Sequence, residues 1–113
     1  MPQEAKYLTR NERAALDEIK RRVSGRFPAI QFILFGSKAR GNFSPDSDID
    51  LLVITSRPLT WRENDDMIGE AYEVNLAYGV LFTVHVAFAQ DWNNGLWPGL
   101  SFKNNVENDG IFV

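Results

Sequence analysis

Two carboxylates, Asp48 and Asp50, stand one residue apart at the head of an apolar run that reaches Thr55. If that run is a strand, side chains alternate with a period of two, so both carboxylates share one face and Ile49 takes the other. Like charges held side by side repel unless a cation neutralises them. An all-oxygen donor pair suits Mg²⁺, with Mn²⁺ as the alternative, because such an ion keeps part of its shell for water and substrate phosphates. Ten residues, Lys38 to Ser47, separate the pair from Gly36-Ser37 at the exit of another apolar run, Ile30 to Phe35. Glycine there lets the backbone approach a ligand closely. Ser37 and the amides after it can donate to phosphate oxygens, and a helical turn would add its positive end. Arg40 offers a guanidinium that can grip phosphate, or else fix the loop through Asp46. Singly, each feature has an ordinary reading, as solvated aspartates at a strand start or as a Gly-Ser turn. Together they form a pattern that turn chemistry alone does not explain.

The elements that must position these groups follow from periodicity and punctuation. Thr9-Arg10-Asn11-Glu12 has the form of a capping box. Ala15 (or Leu16), Ile19 and Val23 then repeat at helical spacing, which predicts a helix over about residues 10–24 stopped by Ser24-Gly25. Ile30 to Phe35 reads as a buried strand, Gly36 to Asp46 as a loop with room for one helical turn, and Ile49 to Thr55 as a second strand ended by Arg57-Pro58. Thr60-Trp61-Arg62-Glu63 is a second capping box, opening a helix over about 61–78 whose apolar positions are Met67 or Ile68, Ala71, Tyr72 and Leu76. Val80 to Phe88 reads as a third strand, Trp97-Pro98-Gly99 as a turn, Phe102 with Val106 as a short helix ended by Gly110, and Ile111 to Val113 as a last extended segment. Three or more short strands in a mixed sheet, with helices mainly on one face, make a small two-layer α+β fold.

The 113 residues predict one domain, without linker, repeat or low-complexity tract. There is no cysteine, which excludes disulfides, thiolate zinc sites and cysteine nucleophiles and fits a reducing, cytoplasmic setting. The longest apolar stretch, Val80 to Ala89, is well short of a membrane span. Asn42-Phe43-Ser44 matches a glycosylation acceptor, but the polar N-terminus is no export signal. The net charge of −3 argues against strong nucleic-acid binding. Residues 1–40 carry nine Lys/Arg against four Asp/Glu, and residues 41–113 three against eleven, a net of +5 and −8. The basic excess either gives a positive field near the first strand or, for Arg13, Lys20, Arg21 and Arg22, is the solvated face of a helix.

Phe35-Gly36-Ser37-Lys38-Ala39-Arg40-Gly41, continued by Ser47-Asp48-Ile49-Asp50-Leu51, resembles the signature of the DNA polymerase beta-like nucleotidyltransferases. The likeness is greatest to the minimal nucleotidyltransferase (MNT) domains that are often paired with HEPN-domain proteins, and Ser101 to Ile111 also looks like the end of such domains. The resemblance implies transfer of a nucleoside monophosphate, AMP from ATP in the usual case, to a hydroxyl, with release of pyrophosphate. It implies that Gly36 and Ser37 hold the triphosphate, with Arg40 as a further phosphate contact, and that Asp48 and Asp50 bind the metal in a two-metal reaction. The acceptor it suggests is the partner protein itself. The alternative is a catalytically weak or inactive module that neutralises a HEPN-type toxin by contact.

This chain departs from the pattern on its third strand. Catalytic members of the family normally add a third carboxylate there, whereas Val80 to Phe88 contains neither Asp nor Glu. Thr83, His85 and Ala87 share one face, and Phe82, Val84, Val86 and Phe88 the other. His85, the only histidine, stands near the expected position. An imidazole is a poorer Mg²⁺ ligand than a carboxylate, suits Mn²⁺ or Zn²⁺ better, and can serve as a general base. It can equally be a hydrogen-bonded strand histidine without a catalytic part. Of the nearest other acids, Glu73 is expected to face solvent and Asp91 to start a turn. Trp61, Trp92 and Trp97 sit at element ends, where an indole commonly covers a core edge. Trp97, Leu100 and Phe102 are candidates for contact with a second chain that completes the acceptor side, or else they close the bottom of the core.

Overall fold

Both long helices of the computed structural model begin at the expected capping boxes; residues 6–41, 47–93, 106 and 110–113 are described. In α1 (Arg10–Arg26) the Glu12 amide donates to Thr9 Oγ1 at 3.1 Å, and the Thr9 amide donates to Glu12 Oε1 at 2.9 Å. Thr60 and Glu63 repeat the arrangement at the start of α3 (Trp61–Tyr78), at 3.1 and 3.0 Å. Each box satisfies two amides that a helix start would otherwise leave without acceptors. The stop of α1 lies further on than Ser24-Gly25. Pro28 excludes helical geometry from the residue before it, and Phe27 is accordingly extended, at φ −128° and ψ 156°. Gly25 remains helical.

The strands β1 (Ala29–Phe35), β2 (Ile49–Thr55), β3 (Phe82–Phe88) and β4 (Ile111–Phe112) form one mixed sheet in the order β3-β2-β1-β4. β1 runs antiparallel to β2 and β4, and β2 runs parallel to β3, with α3 supplying the crossover that a parallel pair requires. The fold is therefore α+β, as expected. β2 is central and covered on both faces, which is why it reads as an unbroken apolar run. On one face Ile49, Leu51 and Val53 pack with Ala15, Ile19 and Val23 of α1 and Met67, Ala71 and Val74 of α3. On the other, Ile33, Phe35, Leu52, Ile54 and Ala87 form a smaller cluster with Trp92 and Val106.

Four local expectations are corrected. The inward stripe of α3 is Met67, Ala71 and Val74, whereas Ile68, Tyr72 and Leu76 point outward. Glu70 fixes this phase by pairing with Arg22 at 3.3 Å and with Arg26, both on α1. β3 starts at Phe82, because Gly79 ends α3 in the left-handed conformation and the Asn75 side chain holds Phe82 N and O, each at 2.9 Å. Asp91 lies in the first turn of a short helix, α4 (Ala89–Asn93), which docks Trp92 against the second cluster. Trp61 covers no core edge; it is 76% exposed. Glu73 faces solvent, as expected. The turn at Trp97-Pro98-Gly99 and the residues Leu100 and Phe102 lie outside the described residues, as do Asp46 and Asn42-Phe43-Ser44. No helix among the described residues is long and apolar enough to cross a membrane.

The phase of α3 is testable. Met67→Ala, at a fully buried position, is expected to lower unfolding free energy by about 2–5 kcal/mol, and Ile68→Ala by less than about 1 kcal/mol, at protein concentrations where the chain is monomeric. Equal losses in urea unfolding would contradict the phase. A second test concerns acid. The Arg57 guanidinium and then the Thr60 amide hold the Glu63 carboxyl at about 2, against 4.5 ordinarily. A lowered native value adds stability that is complete above 4.5 and is lost as pH falls toward about 2. Glu63→Gln should therefore cost stability near neutral pH and progressively less below pH 4.5, with the gap closing by about pH 2. A gap that stays constant over that range contradicts the Arg57–Glu63 brace.

Candidate active site

The site is built at the carboxyl end of β1 and the amino end of β2. Register pairs Phe35 with Asp50, so the residue that leaves β1, Gly36, falls beside the Asp50 carboxylate. Gly36 adopts φ +83° and ψ −161°, a region that essentially only glycine occupies. A Cβ at this position would collide with Asp50 Oδ2. Backbone conformation and close approach thus both demand glycine, and the glycine bend and the carboxylate are in contact. Ser37–Arg40 follow as the single helical turn α2, where the Ala39 and Arg40 amides donate to Gly36 O at 3.0 and 3.1 Å. The first-turn amides of Ser37 and Lys38 point toward the amino end of that turn.

α2 is tied down on both sides. Lys38 is 6% exposed and its Nζ pairs with Glu12 Oε1 at 3.1 Å, the same oxygen that closes the capping box of α1. Gly41, at φ +91°, ends the turn under the ring of Tyr7, which a Cβ would strike. Lys38 is thus an internal strut, a role with no signal in the sequence beyond its place in the motif. Arg40 lies in the last residue of α2 with its side chain exposed.

Asp48 and Asp50 share a face, as their spacing implies, and neighbours on β3 identify it. Thr83 Oγ1 donates to Asp48 Oδ2 at 3.1 Å, and His85 Nε2 lies 3.4 Å from Asp50 Oδ1. Thr83 and His85 project from one side of β3, the side of the smaller cluster rather than that of α1 and α3. His85 is held by the Phe35 ring, with centroids 5.3 Å apart and planes at 54°. The Asp50 and His85 side chains remain 30% and 31% exposed, which leaves the carboxylate accessible to a ligand. Asp48 is exposed at the mouth of the strand. Thr83 is an addition to the expected set; strand alternation had already put it on the face of His85.

Two aspartates on one face, beside a glycine bend and the start of a helical turn, offer oxygen donors for a hard divalent ion. The pair therefore fits such an ion, with part of its shell left for water or phosphate. Among the described residues there is no group of three His, Cys, Asp or Glu side chains arranged to hold a metal. The third-strand position beside Asp50 is filled by an imidazole.

Residues 16–113 match the nucleotidyltransferase domain family. A protein of Methanocaldococcus jannaschii, named provisionally as a protein adenylyltransferase, is 37% identical over 81 residues, which cover 72% of this chain and 75% of the relative. A solved structure described provisionally as a minimal nucleotidyltransferase superposes with a TM-score of 0.59 at 25% identity, over 88% of this chain and 89% of the other. The crystal structure of a toxin-antitoxin with AMP-PNP superposes with a TM-score of 0.62 at 14% identity, over 92% of this chain and 72% of the other; that likeness is one of fold.

Gly36→Ala tests the contact at the base of the site. Strain at φ +83° and the collision with Asp50 are expected to cost at least about 1–3 kcal/mol in urea unfolding, with secondary structure retained by circular dichroism. A variant as stable as the parent would contradict the close approach.

Proposed function

The chain belongs to the nucleotidyltransferase family, and from that premise we propose that it is a metal-dependent adenylyltransferase that moves AMP from ATP to a hydroxyl on a partner protein. The observation that carries the reading is the contact of the Gly36 bend with Asp50, on the face that also bears Asp48. The relative named as a protein adenylyltransferase supports a protein acceptor, and the toxin-antitoxin neighbour with AMP-PNP supports a toxin-type partner. A HEPN-domain protein is the partner class that the sequence resemblance suggests, and the cytoplasm, where ATP is plentiful, is the setting.

In this reading Ser37 Oγ and the amides of Ser37 and Lys38 bind phosphate oxygens of the nucleotide, with Arg40 as a further cationic contact. Asp48 and Asp50 would hold Mg²⁺ or Mn²⁺, which when bound supplies charge neutralisation at the phosphates and at the attacking oxygen. The acceptor oxygen forms a bond to the α-phosphorus, the bond to the bridging oxygen breaks, and pyrophosphate departs with those electrons. Thr83 orients Asp48 through its hydroxyl. His85 orients Asp50 through Nε2, and its second ring nitrogen would take the acceptor proton. Most of the acceleration then comes from positioning and charge compensation, with the acceptor hydroxyl as the nucleophile.

One observation favours a second reading. The face of β3 carries Thr83, His85 and Ala87 where the family resemblance implies an acid in catalytic members, which suits a weak or inactive module that neutralises its partner by contact. Purified chain with Mg²⁺ or Mn²⁺, labelled ATP and candidate partner distinguishes the two. The enzyme reading expects label on the partner and stoichiometric pyrophosphate, both falling by roughly 10²–10³-fold or more in Asp48→Asn/Asp50→Asn. Transfer that survives the double substitution contradicts the role of the aspartates, and partner binding without any transfer favours the module.

A further inference from the structure

Along α3, Trp61, Ile68, Tyr72 and Leu76 are 76%, 45%, 61% and 67% exposed. Their spacings of seven, four and four residues place them on one stripe of the helix. The stripe lies on the flank away from Glu70 and α1, next to Asn75, whose side chain holds the start of β3. Large apolar side chains exposed singly are ordinary, whereas a contiguous row of them marks a surface that another molecule covers.

The row is self-complementary about Ile68. Antiparallel packing of two copies of α3 across a two-fold axis brings Trp61 against Leu76, Arg62 against Glu73, Asp65 against Tyr72, and Ile68 against itself. Each pair is symmetric about Ile68 to within one residue, or about 1.5 Å of helical rise. Arg62 and Glu73 are both exposed and fall on the same flank of the stripe. Antiparallel packing therefore sets cation against carboxylate at both ends of the contact, while parallel packing would set Arg62 on Arg62 and Glu73 on Glu73. Tyr72 would present its hydroxyl to the Asp65 carboxylate of the other copy.

We propose that this face is a homodimer interface: a second copy of the chain docks antiparallel on α3, with Ile68 at the two-fold axis and the Arg62–Glu73 pairs at its rim. The interface lies on the helical layer, and Asp48, Asp50 and Gly36 lie toward the opposite face of the sheet, so both sites stay open in the dimer. The inference stands independently of nucleotidyl transfer.

Sedimentation velocity across the micromolar range, with light scattering after size exclusion, tests it on the full chain. The expected mass is twice the 12.9 kDa of the chain. Ile68→Glu/Tyr72→Glu should sediment as a monomer with an unchanged circular dichroism spectrum, since both positions are exposed. Arg62→Glu should raise the dimer dissociation constant about tenfold or more by setting like charges together at both ends, and Arg62→Glu/Glu73→Arg should return it to within about threefold of the parent. A monomeric parent throughout the range overturns the proposal, and is also the outcome if a different protein is the occupant. A dimer that survives Ile68→Glu/Tyr72→Glu, or a charge swap that fails to recover it, overturns the proposed geometry.

Discussion

The carboxylate of Asp50 rests against the backbone of Gly36, and the rest of the site depends on that approach. It exists because β1 and β2 pair with Phe35 opposite Asp50. A slip of one residue would turn Asp50 into the core beneath α1 and α3 and move Ile49, Leu51 and Val53 to the other face. Those three side chains are at most 1% exposed, each worth about 1.5–3 kcal/mol when buried. The core therefore sets the register, and the register sets the distance from the glycine bend to the carboxylate.

The bend has its own supports. Gly36 leads into a turn of only four residues, too short to be stable alone. Lys38 pins it beneath the capping box of α1, sharing Glu12 Oε1 with the Thr9 amide, and Tyr7 covers Gly41 at its far end. Tyr7 and α1 thus hold α2 in place from outside the sheet. On the opposite edge, Thr83 and His85 hold Asp48 and Asp50 from β3. Two aspartates at a strand mouth would otherwise rotate freely in solvent, and these contacts narrow their rotamers before any ligand arrives.

Much of this was legible in the residues. The capping boxes marked both long helices, the apolar run of β2 gave its limits to the residue, and the Gly-Ser and Asp-x-Asp spacing pointed to one site. What stayed hidden had physical causes. The inward face of α3 could not be chosen from periodicity, because Met67 and Ile68, and Ala71 and Tyr72, are adjacent apolar pairs that fit two stripes equally. Salt bridges from Glu70 to α1, which are tertiary, decide between them. The extension of α1 beyond Gly25 reflects the reach of Pro28, which acts one residue upstream and leaves Gly25 free to stay helical. Lys38 stood out only as part of the motif, and the three-dimensional meeting of α2 with Glu12 makes it an internal strut. Strand alternation put His85 on the face of Thr83; the register sets Thr83 opposite Asp50, and the imidazole reaches that carboxylate diagonally.

The central claim is that a divalent ion binds between the glycine bend and the strand aspartates. Titration of the ¹⁵N-labelled chain with Mn²⁺ in the presence of a non-hydrolysable ATP analogue tests it directly, since paramagnetic broadening maps distance from the ion. The account predicts that the amides of Gly36, Ser37, Asp48 and Asp50 broaden first and together, while those of Met67 and Val74 in the helical layer stay sharp. Broadening that instead centres on the exposed Asp65 and Asp66 of α3, or that reaches Asp50 without reaching Gly36 and Ser37, would contradict it.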